Sequence, residues 1–197
     1  MRIFFLGDSF VNGACDPEYL GWAGRLCHKS AAGGLDITLY NLGIRGNTSA
    51  DIRERWEEEM RRRAVGEEER RLVFSFGVND TVFQDGKLRV EPEMSLANAK
   101  DILERAVKLC PVLFIGPPPI PDEEQNKRIR ACADGLQGLC GTYDIPFFDS
   151  FTALIESELW FQETSRNDGA HPRAGGYTLW AEAIYNSGLW AEFLRSS

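Results

Sequence analysis

Four short stretches of this 197-residue chain carry residue types able to do acyl-transfer chemistry. Ser9 stands in GDSF directly after an apolar run, Gly46 in GNTS, Asn79 in GVND, and Asp168 and His171 together in DGAHP. A serine hydroxyl is a weak nucleophile near neutral pH. It needs an imidazole to take its proton and a carboxylate to fix the tautomer of that imidazole. Of the two histidines, His28 falls within an amphipathic helical pattern and reads as a helix-surface or core residue, whereas His171 follows Asp168 by three positions in a turn-rich segment. A turn brings residues i and i+3 within about 7 Å between Cα atoms, close enough for the carboxylate to reach Nδ1 and leave the other nitrogen free to face Ser9. Acyl transfer also requires donors at the developing oxyanion. The Ser9 and Gly46 backbone amides and the Asn79 side-chain amide are candidates. Taken singly, each of these residues is ordinary cap or turn chemistry. Their conjunction is what turn chemistry leaves unexplained.

Residues so far apart in sequence meet only if their segments end at one rim. Short β-rich runs at Ile3–Leu6, Ile37–Tyr40, Leu72–Phe76, Val112–Ile115 and Pro146–Phe148 alternate with helical patterns at Tyr19–Ser30, Ser95–Leu109, Asp122–Cys140 and Gly175–Leu194. Such alternation predicts βαβ units, and the continuous apolar character of the strands predicts burial on both faces. The expected fold class is α/β, a three-layer sandwich around about five parallel strands, with the ligand crevice beyond their carboxyl ends. All four stretches follow strands in that arrangement.

The length suits one domain over residues 1–197, since single cores stop growing at roughly 250 residues. A net charge of −8 speaks against nucleic acid, whose phosphates need a basic stripe to displace counterions. The densest basic stretch, MRRRAVGEEERR, is interrupted by Glu67, Glu68 and Glu69 and reads as a solvated helix end with its following loop. Five cysteines, an odd number without zinc-type spacing, read as reduced thiols in a cytoplasmic protein; Cys15 reads as a buried, inert one. No apolar run approaches the roughly 20 residues of a membrane span. Nothing calls for a cofactor or metal, and the expected partner is a small-molecule ester. Trp56, Trp160, Phe161, Trp180 and Trp190 read as packing residues and Asp80 as a turn residue, while Phe83 and the Pro117–Ile120 loop, with Pro118 and Ile120, are candidate pocket walls.

The four blocks, in this order, resemble the SGNH hydrolases, also called GDSL-type lipases and esterases. The resemblance implies a flavodoxin-like α/β/α fold, with Ser9 as nucleophile, His171 as base, Asp168 as its orienting acid, and an oxyanion hole from Ser9, Gly46 and Asn79. Phe10 replaces the usual leucine without touching a catalytic atom, and the GxSxG elbow of the α/β-hydrolases is absent. The expected activity is that of a serine esterase acting on short-chain acyl or acetyl esters. A carbohydrate O-deacetylase, a thioesterase or a lysophospholipase is the alternative within the family, and a non-catalytic ligand-binding protein on the same fold is the alternative outside it.

Overall fold

The computed structural model describes residues 1–66 and 68–196. In chain order the first elements are β1 (Arg2–Gly7), α1 (Ser9–Asn12), α2 (Gly21–Ala32), β2 (Thr38–Gly43), α3 (Ser49–Arg63) and β3 (Arg70–Ser75), followed by a small hairpin of β4 (Phe83–Gln84) and β5 (Lys87–Leu88). Then come α4 (Pro92–Ala106), β6 (Val112–Ile115), α5 (Glu123–Thr142), β7 (Phe147–Phe148), α6 (Ser150–Leu154), α7 (Glu158–Arg166), α8 (Ala174–Asn186) and α9 (Leu189–Arg195).

Five strands pair in parallel in the order β2-β1-β3-β6-β7, with helices on both sides. Successive strand residues point to opposite faces, so β1 feeds two cores. Ile3 and Phe5 pack into one with Trp22, Trp160, Trp180 and Trp190, while Phe4 and Leu6 pack into the other with Trp56, Phe74 and Phe114. Full burial of such side chains contributes about 1.5–3 kcal/mol each, which makes the apolar, two-sided strand the nucleus of the sandwich. The chain leaves β1 toward β2 on one side and returns to place β3 on the other. That reversal opens a crevice at the carboxyl ends of β1 and β3.

Several boundaries differ from those the sequence predicts. The Gly175–Leu194 pattern is two helices, α8 and α9, because Gly188 adopts a left-handed φ of 84° that an α-helix cannot accommodate. Helix α4 begins earlier than Ser95, with Pro92 in its first turn, where proline's missing N–H costs nothing. The irregular stretch before DGAHP folds as α6 and α7. In the basic stretch, Met60–Arg63 closes α3 and Arg70 and Arg71 open β3; Glu67 lies outside the described residues. Ion pairs of Arg61, Arg62 and Arg63 with Glu57, Glu58 and Glu59, one turn earlier on the helix, offset that basic end. No helix among the described residues is long and apolar enough to cross a membrane.

Candidate active site

Ser9 opens α1, a single turn that begins where β1 ends. Asp8 caps this turn, its Oδ1 accepting the Phe10 N–H at 2.9 Å, and Gly13 closes it with a φ of 76°. In the first turn of a helix an N–H has no intrahelical acceptor, which leaves the Ser9 amide available. The β2 end is pressed close against this turn: a Cβ on Gly43 would stand 2.2 Å from the Asn12 nitrogen, so only glycine fits there.

The segment after α7 brings Asp168 and His171 together from within itself. Asp168 Oδ1 accepts the backbone N–H groups of Ala170 and His171, at 3.1 and 2.8 Å, and so folds its own turn. Its Oδ2 accepts the His171 ring N–H at Nδ1, 2.7 Å away, while Nε2 lies 2.6 Å from Ser9 Oγ. A carboxylate only accepts, so the ring proton sits on Nδ1 and Nε2 is left to accept from the Ser9 hydroxyl. Asn167 Nδ2 donates to the His171 carbonyl, and the Phe10 ring packs 4.7 Å from the imidazole. Burial favours the neutral ring and lowers the His171 pKa; Asp168 pulls the other way, and the Arg45 charge adds to the lowering. Burial would raise the Asp168 carboxyl, but donation from the His171 and Ala170 amides and the ring holds it well below the usual carboxylate range.

Gly46 and Asn79 reach the same rim from β2 and β3. The Asn47 N–H closes a turn on the Ile44 carbonyl at 3.2 Å, with Gly46 at a φ of 78°, as the third position of a type II turn requires. Asn79 Nδ2 donates to the Asn47 carbonyl at 3.0 Å and lies 3.3 Å from Asp8 Oδ2. Asp8 is buried, which pushes its carboxyl up to about 7, against the Phe10 N–H that pulls it down; the nearby Asp80 carboxylate raises it further. Asp80 is more than a turn residue. Buried itself, it accepts the Ser49 N–H and the Ser95 hydroxyl, tying the end of β3 to α3 and α4.

A model of the GDSL-like lipase/acylhydrolase family matches residues 5–179. The chain belongs to this family, whose members are carboxylic ester hydrolases. A search of curated proteins found no match by sequence. Among solved structures, a lipase/acylhydrolase from Enterococcus faecalis is similar at 22% identity and a TM-score of 0.77, covering 95% of each chain. A G-D-S-L family lipolytic protein from Veillonella parvula matches at 19% identity and a TM-score of 0.76, over 94% of this chain and 97% of that one. An acetylxylan esterase from Geobacillus stearothermophilus matches at 18% identity and a TM-score of 0.77, over 94% and 92%. At such identities the likeness is one of fold.

Several residues of this GDSL-like hydrolase escape a reading by motif. Arg55 of α3 donates to the carbonyls of Gly7 and Leu42 and to Asn47 Oδ1, joining the ends of β1 and β2 to the Gly46 turn. Arg89 and Arg45 flank Gly46: Arg89 donates to its carbonyl at 2.7 Å, and the exposed Arg45 guanidinium stands 3.7 Å from Asp168 Oδ2. None of the three lies in a recognisable block, so only contact in space reveals them. Cys15 is not a buried thiol. It is partly exposed, adopts a φ of 68° and places Sγ 3.4 Å from Asp168 Oδ2. Cys15, Asp168 and His171 are close enough to share a cation, but Arg45 already supplies positive charge there and Nδ1 and Oδ2 are turned on each other. All five cysteines are free.

The candidate pocket walls divide. Ile120 is buried in the same core as Phe10 and Trp160, and Pro118 is buried as well, whereas Phe83 stands exposed on the hairpin. His28 is on the exposed face of α2. Trp56, Trp160, Trp180 and Trp190 are fully buried, and Phe161 packs at the edge of the same core.

Proposed function

We propose that the protein is a serine esterase that hydrolyses small acyl or acetyl esters through an acyl-enzyme on Ser9. The observation that carries this reading is the unbroken chain Ser9–His171–Asp168, with its links of 2.6 and 2.7 Å. His171 Nε2 takes the hydroxyl proton as Ser9 Oγ attacks the ester carbon, and returns it to the leaving alcohol as the C–O bond breaks. Asp168 stabilises the imidazolium formed in between. Water then enters, gives its proton to the same nitrogen and releases the acid. The oxyanion of each tetrahedral species is met by the Ser9 and Gly46 amides and by the Asn79 Nδ2 proton that rests on the long contact to Asp8. No step needs a cofactor or metal. The polar rim of Arg45, Asn47 and Arg89 suits a short acyl group better than a long chain. The free thiols suit a reducing cytoplasm.

A sugar O-acetyl ester is the second reading. It is favoured by the likeness to an acetylxylan esterase and by the exposed rings of Tyr19 and Phe83, since aromatic faces offer apolar area to a sugar. A fluorophosphonate probe should label the protein at Ser9 and leave Ser9→Ala unlabelled; labelling that persists in Ser9→Ala refutes the assignment. Rates on a 4-nitrophenyl ester series from acetate to octanoate should fall with chain length. Faster turnover of acetylated xylo-oligosaccharides than of 4-nitrophenyl acetate selects the second reading.

A further inference from the structure

The hairpin β4–β5 belongs to neither core, yet its geometry is well determined. Phe83 pairs with Leu88 and Gln84 with Lys87, around an Asp85-Gly86 turn with both residues at positive φ, the geometry of a type I′ turn. Its base is tied down by the Arg89 N–H on the Val82 carbonyl and the Val90 N–H on the Asp80 carbonyl, at 3.0 and 3.2 Å. This delivers Arg89 to the rim. There Nη2 donates to the Gly46 carbonyl at 2.7 Å and Nη1 to Asn79 Oδ1 at 3.4 Å, while Asn79 Nδ2 donates to the Asn47 carbonyl at 3.0 Å. Gly46 and Asn47 are adjacent, so the hydrogen bonds close a ring through three separate segments.

A guanidinium only donates and a backbone carbonyl only accepts, so within this ring the Asn79 amide can face only one way, with Nδ2 toward the catalytic side. We propose that Arg89 is the positioning residue of the oxyanion site, its fork locking the Gly46 turn to the Asn79 amide so that both donors stand ready before substrate arrives. The inference rests on the roles given to Ser9, Gly46 and Asn79 above. Donors held in place need no reorganisation at the transition state, so Arg89 acts on kcat rather than on substrate affinity. Its planar fork reaches two acceptors at once, which a lysine ammonium does not. Arg89 is exposed, so its removal leaves the fold standing.

The test combines 4-nitrophenyl acetate kinetics with the affinity of ethylboronic acid, which forms a tetrahedral adduct on an activated serine. Arg89→Ala should lower kcat about ten-fold with KM within about two-fold, and weaken the boronate by the same factor as kcat. Arg89→Lys should fall between the two. In an Asn79→Ala background, itself reduced roughly a hundred-fold, Arg89→Ala should cost less than about three-fold, because half of what it positions is gone. Melting curves should coincide; Arg89→Gln repeats the measurement should Arg89→Ala melt early. A normal kcat and boronate affinity in Arg89→Ala overturns the proposal, as does a KM effect alone or a full loss in both backgrounds. A wild-type protein that binds no boronate overturns the serine reading itself, and is told apart from failure at Arg89 by that result.

Discussion

The two halves of the proposed site are built in opposite ways. The acid–base half is local: Asp168 folds its own turn through the Ala170 and His171 amides and then holds the ring three residues on. The oxyanion half is long-range: Asn79 Nδ2 reaches the Gly46 turn at the Asn47 carbonyl, and Asp8, Arg55 and Arg89 hold the two from three further segments. A local turn forms with little loop-closure entropy and is written as a motif. A long-range cluster exists only once the sheet has formed.

The largest effect should come from breaking the local half. Asp168→Asn keeps the turn's acceptor but turns an amide toward the ring, favouring the wrong tautomer, so kcat should fall about 10⁴-fold in a protein that still folds and melts a little lower, having lost the charge on the turn's acceptor. Retained activity in steady-state assays would mean that Asp168 is not the orienting acid.

Within the long-range half, the buried Asp8 should respond in stability as well. Folding raises the Asp8 pKa to about 7, so its stabilising effect is full below the unfolded value of about 3.9 and is lost as pH rises through about 7. Asn at this position still accepts the Phe10 N–H and never ionises. Asp8→Asn gives up the long contact that Asn79 Nδ2 donates to Oδ2, so it should melt slightly below wild type near pH 4, yet roughly 5 °C or more above it at pH 9. Equal melting temperatures at both values would show that Asp8 does not ionise on folding as described.

The smallest effect should join the halves. With burial holding the His171 pKa below its usual value, kcat/KM should fall with acid only below about pH 6.5. Arg45→Ala removes a positive charge near the ring, which raises that pKa and moves the acid limb upward, less so in high salt. A limb that stays in place at low salt would detach Arg45 from the base.

Legibility in the sequence cut across that division. The inner strands β1, β3 and β6 were readable because burial on both faces demands unbroken apolar runs, and β6 matches its run at both ends; the edge strand β2 is mostly half-buried or exposed. Ser9, Gly46, Asn79, Asp168 and His171 stood out together, as short turn-rich blocks that each follow a strand, and none of them would have done so singly. The hairpin carries one signal, the Asp85-Gly86 pair that type I′ turns favour, but two paired residues on each side show no period and Arg89 after them resembles any surface arginine. The break at Gly188 was hidden by a helical pattern that runs through it on both sides.

What the sequence alone determined is therefore the order of the strands along the chain, most of the helices between them and the candidates for the reacting groups, because apolar period and turn chemistry act over a few residues. Tertiary structure decided which groups touch them. Arg55, Arg89 and Arg45 at the Gly46 turn, Asp8 under the Asn79 amide and Cys15 beside Asp168 are placed by strand order, and no spacing along the chain encodes a contact between the ends of different strands.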